Sequence, residues 1–195
     1  MNKLFVSLLL LAIASFPLAL LAQSNAPAGG AAYDLFLGNY RLPNGRMIGI
    51  NRFDMDGGQT ALLYADYTSG IVRRLFPMGD DSFGMGPGFG IPTPIELMVG
   101  FVKNEQGDIV AVAVRRTNAA EVIARRMPIR SQQVTFQSGD ATLSGTLLTP
   151  ATNGPHPAII LLHGSGRLTR YSFGPYPHFF TSLGLSVLIY DKRAS

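Results

Sequence analysis

Short apolar runs separated by turn residues fill residues 34–130, a pattern typical of antiparallel β structure. Reversals are marked by Pro43-Asn44-Gly45 and by residues 104–107, which suit the backbone angles of tight turns. The predicted strands are 35–41, 46–53, 60–66, 71–76, 95–103, 109–116 and 121–127. Closely connected strands of this kind predict an antiparallel β meander or a small barrel, because closing a sheet hides its edges.

Two segments of this region have the glycine spacing of known loops. Residues 54–58 have the start of a calcium-binding loop but lack its later ligands, so a hairpin turn explains them better. Residues 84–90 have the glycines of a phosphate-binding loop, but Pro87 and the lack of a following helix favour a surface segment. The irregular stretch 77–94 is predicted to be a long loop of the kind that forms a lid or rim.

The pattern changes near Gln133. The predicted elements there are a hairpin at 134–138 and 142–148, an apolar strand at 158–162, a crossover helix at 173–183 and a further strand at 185–190. The strand at 158–162 lacks polar alternation, as expected of a parallel strand covered on both faces. The crossover helix and the next strand then complete a strand-helix-strand unit. The sequence therefore predicts an α+β fold, with an antiparallel β domain at 34–130 and an incomplete α/β sheet at 133–195.

Composition permits a packed core and argues against nucleic acid as a partner. The chain has 195 residues, of which 47% are hydrophobic and 14% charged. The formal net charge is +4, and the arginines occur as scattered pairs rather than as one basic tract. The chain contains no cysteine, so disulfides cannot stabilise it.

The N-terminus has the pattern of a secretory leader. Met1-Asn2-Lys3 supplies a short basic region, residues 4–21 are apolar, and Ala22 precedes a plausible cleavage point. The alternative is an uncleaved membrane anchor, since the apolar run approaches the ~18 residues that span a bilayer. Pro17 and the polar, small residues that follow favour a signal peptide at 1–22 and a linker at 23–33. This predicts export to the periplasm or the exterior.

The most specific motif is His163-Gly164-Ser165-Gly166, which follows the predicted apolar strand. This position is the carboxyl end of a parallel strand, where ligands of open α/β sheets usually bind. Glycines let the backbone approach a substrate, and free amides in such a turn can donate hydrogen bonds to a developing oxyanion.

With residues 134–148, 155–166 and 185–193, this motif resembles the α/β-hydrolase superfamily, in the branch of dienelactone hydrolases and prolyl-oligopeptidase-like serine peptidases. The resemblance covers about a third of the chain. It implies the start of a hydrolase sheet with an oxyanion-hole loop, in which the amide of Ser165 or Gly166 stabilises the oxyanion. It also implies a small ester or peptide as substrate and no cofactor.

The chain departs from the family in ways that remove the catalytic residues. No Gly-x-Ser-x-Gly occurs, and His163 stands where Ser165 would need a glycine. The superfamily order of serine, acid and histidine excludes His156, His163 and His178 as the base. His163 is instead expected to brace the loop. No catalytic triad and no metal cluster is therefore predicted, and the sequence ends at Ser195 before a nucleophile.

Two hypotheses follow. The first is the N-terminal fragment of an exported serine hydrolase, inactive alone, with an exposed sheet edge at 185–190 and a missing complementary segment as its candidate partner. The second is a periplasmic ligand-binding or interaction β module with a vestigial C-terminal segment. In this second hypothesis, an apolar pocket takes a lipid or peptide, and its predicted rim is Phe83, Met85, Phe89 and Ile91.

Overall fold

The structure is a computed structural model, and it describes residues 30–55, 58–79 and 81–193. The expected signal peptide at 1–22 lies outside the described residues. The same holds for residues 23–29 of the expected linker, for Asp56 and Gly57 of the expected hairpin turn, and for Ser195.

Eight antiparallel strands form a closed barrel in which each strand pairs with the next. They are β1 (Gly38–Arg41), β2 (Met47–Asp54), β3 (Thr60–Asp66), β4 (Ile71–Gly79), β5 (Ser82–Met85), β6 (Leu97–Lys103), β7 (Ile109–Arg116) and β8 (Val122–Met127). The barrel closes where β1 pairs with β8, with Asn39 opposite Met127 and Arg41 opposite Arg125. Closure leaves neither of these strands with a free edge.

Apolar side chains fill the barrel interior. Alternate residues of the strands point inward, and these include Tyr40, Ile48 and Leu97, each 0% exposed. A 3₁₀ helix (Gly30–Phe36) precedes β1 and closes one end of the barrel. Its Phe36 packs 4.3 Å from the ring of Phe101. In the part of the chain that the structure describes, the barrel interior is therefore filled by side chains and does not enclose a ligand cavity.

A second sheet follows the barrel, and its strands are arranged in the order β11, β12, β10, β9. They are β9 (Ile129–Ser138), β10 (Ala141–Pro150), β11 (Ala158–Ile160) and β12 (Ser186–Tyr190). β9 and β10 form a long hairpin, β12 lies antiparallel to β10, and β11 is parallel to β12. Between β11 and β12 come a second 3₁₀ helix (Arg170–Phe173) and helix α1 (Tyr176–Ser182).

The second sheet docks on the barrel through α1 and the second 3₁₀ helix. The outward-facing Leu63 of β3 is 2% exposed, and Gly174 lies against it. Tyr67, just after β3, stacks edge-on against Phe179 at 5.2 Å. Gly49 of β2 makes this possible, because a Cβ at that position would overlap the Tyr67 hydroxyl.

The predicted α+β class is wrong, because the fold is predominantly β. Within residues 30–55, 58–79 and 81–193, α1 is the one α-helix, and it has seven residues. The expected crossover helix at 173–183 is interrupted by Gly174 and Pro175, so α1 spans only Tyr176–Ser182. The expected hairpin at 134–138 and 142–148 is present as β9 and β10. The expected start of an α/β-hydrolase sheet is thus replaced by a small, mostly antiparallel sheet attached to a barrel.

Two local predictions also differ from the structure. The expected loop at 77–94 contains the end of β4 and all of β5. The expected exposed edge at 185–190 is instead the buried strand β12, which lies between β11 and β10. The edge strands of this sheet are β9 and β11, and Ile160 of β11 is 57% exposed.

Candidate functional site

A cleft of about 260 Å³ lies where the end of the barrel meets the second sheet. We call it the junction cleft. Its polar lining includes Arg52, Arg126, Gln133, Thr146, Arg170 and His178. Its apolar lining includes Leu37, Ile129, Leu148 and Ile189. Concave sites with an apolar floor and a few convergent polar groups are the usual form of small-molecule sites.

Arg170 forms one wall of the junction cleft, and its guanidinium is bonded to other side chains of the protein. Its side chain donates hydrogen bonds to Gln133 Oε1 at 2.7 Å, Thr146 Oγ1 at 2.9 Å and Asp191 Oδ2 at 2.6 Å. Burial alone would raise the pKa of the Asp191 carboxyl, but hydrogen bonds from the Arg170 side chain and backbone hold it below its ordinary value. Arg170 therefore links β9, β10 and the residue that directly follows β12, which keeps this wall rigid.

Arg52 is neutralised by two carboxylates. It donates to Asp54 Oδ1 at 2.9 Å and Oδ2 at 3.0 Å, and to Asp34 Oδ1 at 3.3 Å. Its guanidinium also lies 3.9 Å from the centre of the Tyr171 ring. Burial lowers the pKa of Arg52, but the hydrogen bond to Asp54 and the nearby negative charges outweigh it and raise the pKa above its ordinary value. Arg52 thus remains charged, and its charge is balanced locally.

Arg126 of β8 differs from the other two arginines. Its guanidinium donates to two backbone carbonyls, that of Leu37 at 2.6 Å and that of Ile109 at 3.1 Å. Within the described ranges it forms no ion pair with a carboxylate. A half-buried guanidinium that lacks a carboxylate partner favours an anionic ligand, because it presents planar, charged donors.

His178 contributes a neutral acceptor to the junction cleft. Its Nδ1 lies 2.9 Å from Asn51 Oδ1, and its carbonyl accepts from Asn39 Nδ2 at 2.8 Å. Because an amide oxygen only accepts, this contact requires a proton on Nδ1 and leaves Nε2 with a lone pair. Burial, helped by the positive charge of Arg126, lowers the pKa of His178 from 6.5 to about 4. The ring is therefore neutral at physiological pH.

The predicted oxyanion loop lies apart from this cleft. His163 Nε2 is 2.5 Å from the Tyr190 carbonyl, and the imidazole stacks on Phe173 at 4.5 Å. Lys192 Nζ donates to the carbonyls of Gly164 and Gly166 at 2.8 and 3.0 Å. Ser165 is exposed. None of these four loop residues lines the junction cleft, and the oxyanion role stays a sequence prediction.

The other histidine and the predicted rim residues are dispersed. His156 Nε2 lies 3.1 Å from the Thr152 carbonyl in an exposed turn. Phe83 and Met85 are each 3% exposed and belong to the barrel core. Phe89 and Ile91 are 43% and 53% exposed. The four residues therefore do not form one rim.

Sequence reasoning missed the arginines of the cleft because they come from segments far apart in the chain. One signal was present in the strand pattern. Arg125-Arg126 occupies a strand whose residues alternate in direction, so one of the pair has to face inward. In the structure Arg125 is exposed and Arg126 reaches the cleft.

Comparison with known proteins gave no support for a hydrolase. No protein-family model matches the chain, and no curated protein matches it. The predominantly β fold and this result together overturn the expected resemblance to α/β-hydrolases. The hydrolase function that was expected from the resemblance is not supported.

The described part of the chain has neither a membrane-spanning helix nor a metal-binding cluster. No helix there is both long and apolar enough to cross a membrane. In residues 30–55, 58–79 and 81–193, no group of three or more histidine and acidic side chains is placed to hold a metal ion.

Proposed function

We propose that this chain is a ligand-binding β module that takes a small hydroxylated organic anion in the junction cleft. The observation that carries the proposal is Arg126. Its charge faces the cleft without a carboxylate partner among the described residues, whereas Arg52 and Arg170 are paired with aspartates. A ligand carboxylate would supply the missing partner.

The remaining lining supports a ligand that also carries hydroxyl groups. Nε2 of His178 and the carboxylate of Asp34 can accept hydrogen bonds, and Ser131 can both donate and accept them. Leu148 and Ile189 provide an apolar floor. The cleft volume of about 260 Å³ is smaller than that of pockets that bind drug-sized molecules, which start at ~300 Å³. A sugar acid or hydroxy acid has this combination of size and groups.

The chemistry of His178 favours binding over acid–base catalysis. A general base works best with a pKa near the operating pH, and the pKa of His178 is about 4. Its Nδ1 is bonded to the amide of Asn51 rather than to a carboxylate that would make the ring more basic.

Calorimetric titration of the full chain with glucuronate and with glucose tests the proposal, because the two sugars differ in the carboxylate. We expect saturable binding of glucuronate and binding of glucose at least tenfold weaker. Arg126→Gln should weaken glucuronate binding at least tenfold, since the ligand carboxylate loses its charged partner. Arg126→Lys keeps the charge but loses the planar guanidinium, so its affinity for glucuronate should lie between those of the unmodified chain and Arg126→Gln.

Arg125→Gln is the matched control, because Arg125 is the adjacent residue and lies exposed on the outside of the barrel. It should bind glucuronate like the unmodified chain. Urea unfolding of each variant separates loss of binding from loss of fold, since Arg126 also bonds two backbone carbonyls. Equal binding of glucose and glucuronate, or equal losses in the two glutamine variants, would contradict the proposal.

A further inference from the structure

The end of the barrel opposite the N-terminal 3₁₀ helix has a second pocket. Antiparallel strands return to the same end after every second connection, so the β1–β2 and β7–β8 turns lie together there. A pocket of about 350 Å³ lies between these turns and the end of β3. We call it the open-end pocket. Its apolar wall is formed by Leu42, Val114, Ala119, Ala120 and Val122.

Two arginines and one aspartate line the open-end pocket, which gives a formal charge of +1. Asp66 is 2% exposed, and its carboxylate accepts from Arg46 and from the backbone amides of Thr68 and Ser69. Arg46 and Asp66 thus balance each other. In the described part of the chain, Arg116 has no ion-paired carboxylate.

The strand pattern places Arg116 on the pocket side. Val112 and Val114 of β7 face the barrel interior, and Arg116 continues this alternation at the end of the strand. Arg115 points the other way, with Nη2 3.7 Å from the sulfur of Met98. Adjacent arginines therefore lie on opposite faces of one strand.

Two residues that line the same pocket carry further hydrogen-bond donors. Nε of Arg46 is buried and lacks a hydrogen-bond partner among the described residues. Tyr64 is 2% exposed and lines the pocket. Burial, with a smaller contribution from Asp66, raises the pKa of Tyr64 to about 12, so its hydroxyl stays protonated and can donate. An orphaned buried donor costs free energy, which an acceptor from a ligand would recover.

From this arrangement we infer that the open-end pocket is a second binding site, for an amphiphilic monoanion such as a short alkyl carboxylate. The carboxylate lies at Arg116 and accepts from Arg46 Nε and the Tyr64 hydroxyl. The alkyl chain packs on Leu42, Val114 and Val122. This ligand chemistry differs from that of the junction cleft, where acceptors such as His178 and Asp34 suit an anion that also carries hydroxyls.

Titration of the full chain with hexanoate and with hexan-1-ol, followed by calorimetry, tests the inference. Saturable hexanoate binding is expected, with hexan-1-ol at least tenfold weaker because it lacks the charge. Arg116→Gln should weaken hexanoate binding at least tenfold, and Arg116→Lys should weaken it less. Tyr64→Phe removes one donor while keeping the ring, and a loss of several-fold is expected.

Arg115→Gln is the matched control and should leave hexanoate affinity unchanged. Arg126→Gln should leave it unchanged as well, which separates this site from the junction cleft whether or not glucuronate binds there. Circular dichroism and urea unfolding confirm that each variant is folded. The inference is overturned if hexanoate does not bind in the millimolar range, if hexan-1-ol binds equally well, or if Arg115→Gln is as harmful as Arg116→Gln.

Discussion

The buried imidazole of His178 should make folding stability depend on pH in a measurable way. The folded chain has a pKa of about 4 at this residue, against 6.5 for an ordinary histidine. Below pH 6.5 the unfolded chain takes up a proton that the native state excludes, so stability falls as the pH is lowered and the loss is complete near pH 4. At ~1.36 kcal/mol per pKa unit, the full loss is about 3 kcal/mol.

Between pH 7 and pH 5 the same relation predicts that His178 alone lowers the free energy of unfolding by about 2 kcal/mol. Urea unfolding at both pH values, followed by far-ultraviolet circular dichroism, measures it. His178→Gln should lose about 2 kcal/mol less than the unmodified chain over this interval, whatever its stability at pH 7. Carboxylates such as Asp191 contribute to both proteins and cancel in the difference. Arg126 is the charged group whose field adds to the effect of burial on His178.

His156→Gln serves as the control, because His156 lies in an exposed turn. It should follow the unmodified chain at both pH values. Parallel pH profiles for His178→Gln and the unmodified chain would refute the reasoning, since they would mean that the imidazole takes up its proton as easily when folded as when unfolded.

Two further stability predictions follow from the docking of the second sheet on the barrel. Arg170→Gln should cost about 2–3 kcal/mol in the free energy of unfolding measured with urea, because it leaves the Asp191 carboxylate, which is 33% exposed, without its charged partner. It also removes the donor that Gln133 and Thr146 share, although these two keep a 3.2 Å hydrogen bond to each other. Arg193→Gln, which breaks the exposed ion pair with Asp140, should cost no more than about 0.5 kcal/mol, and equal costs of the two variants would contradict a structural role for the Arg170 contacts. Gly49→Ala should lower the free energy of unfolding by about 1–3 kcal/mol, because the new Cβ displaces the Tyr67 hydroxyl, which donates to Asn39 Oδ1 at 2.9 Å. Gly100→Ala is the matched control in another strand. Its Cβ would meet Ala113 at 4.0 Å, so the stability should not change.

The barrel strands are accessible to sequence reasoning where a short apolar run is bounded by polar and turn residues. The limits predicted for the strands at 60–66 and 109–116 coincide with those of β3 and β7. β5 is missed because it has four residues with a glycine among them, which leaves too short a pattern to distinguish from a loop. A closed small barrel was one of the two arrangements expected from the sequence, and the structure has it. The strand pattern alone does not choose between barrel and open meander, since closure depends on pairing between β1 and β8, the two ends of the barrel sequence.

The second sheet shows a different limit. An apolar run such as 158–162 predicts a strand covered on both faces, but a pattern does not say whether anything covers it. In the structure Leu162 is 74% exposed and lies beyond the end of β11. The candidate sites were missed for a related reason. A strand pattern places Arg116 on the same face as Val112 and Val114 and shows that one of Arg125 and Arg126 faces inward. Which distant carboxylate neutralises an arginine depends on tertiary packing.

The polar contacts at the junction determine how the cleft can work. Asn39 and Asn51 of the barrel, which are 1% and 0% exposed, both bond to His178, and Thr169 Oγ1 donates to Asp54 Oδ2 at 2.8 Å. A partial separation of the barrel from the sheet would break these hydrogen bonds without giving the buried groups full access to water. Each group left unpaired would cost about 1–3 kcal/mol. Partial opening is therefore disfavoured, and the junction cleft is formed before any ligand arrives. A ligand that enters a preformed site spends little free energy on ordering it, so affinity there should depend mainly on how well its charge matches Arg126.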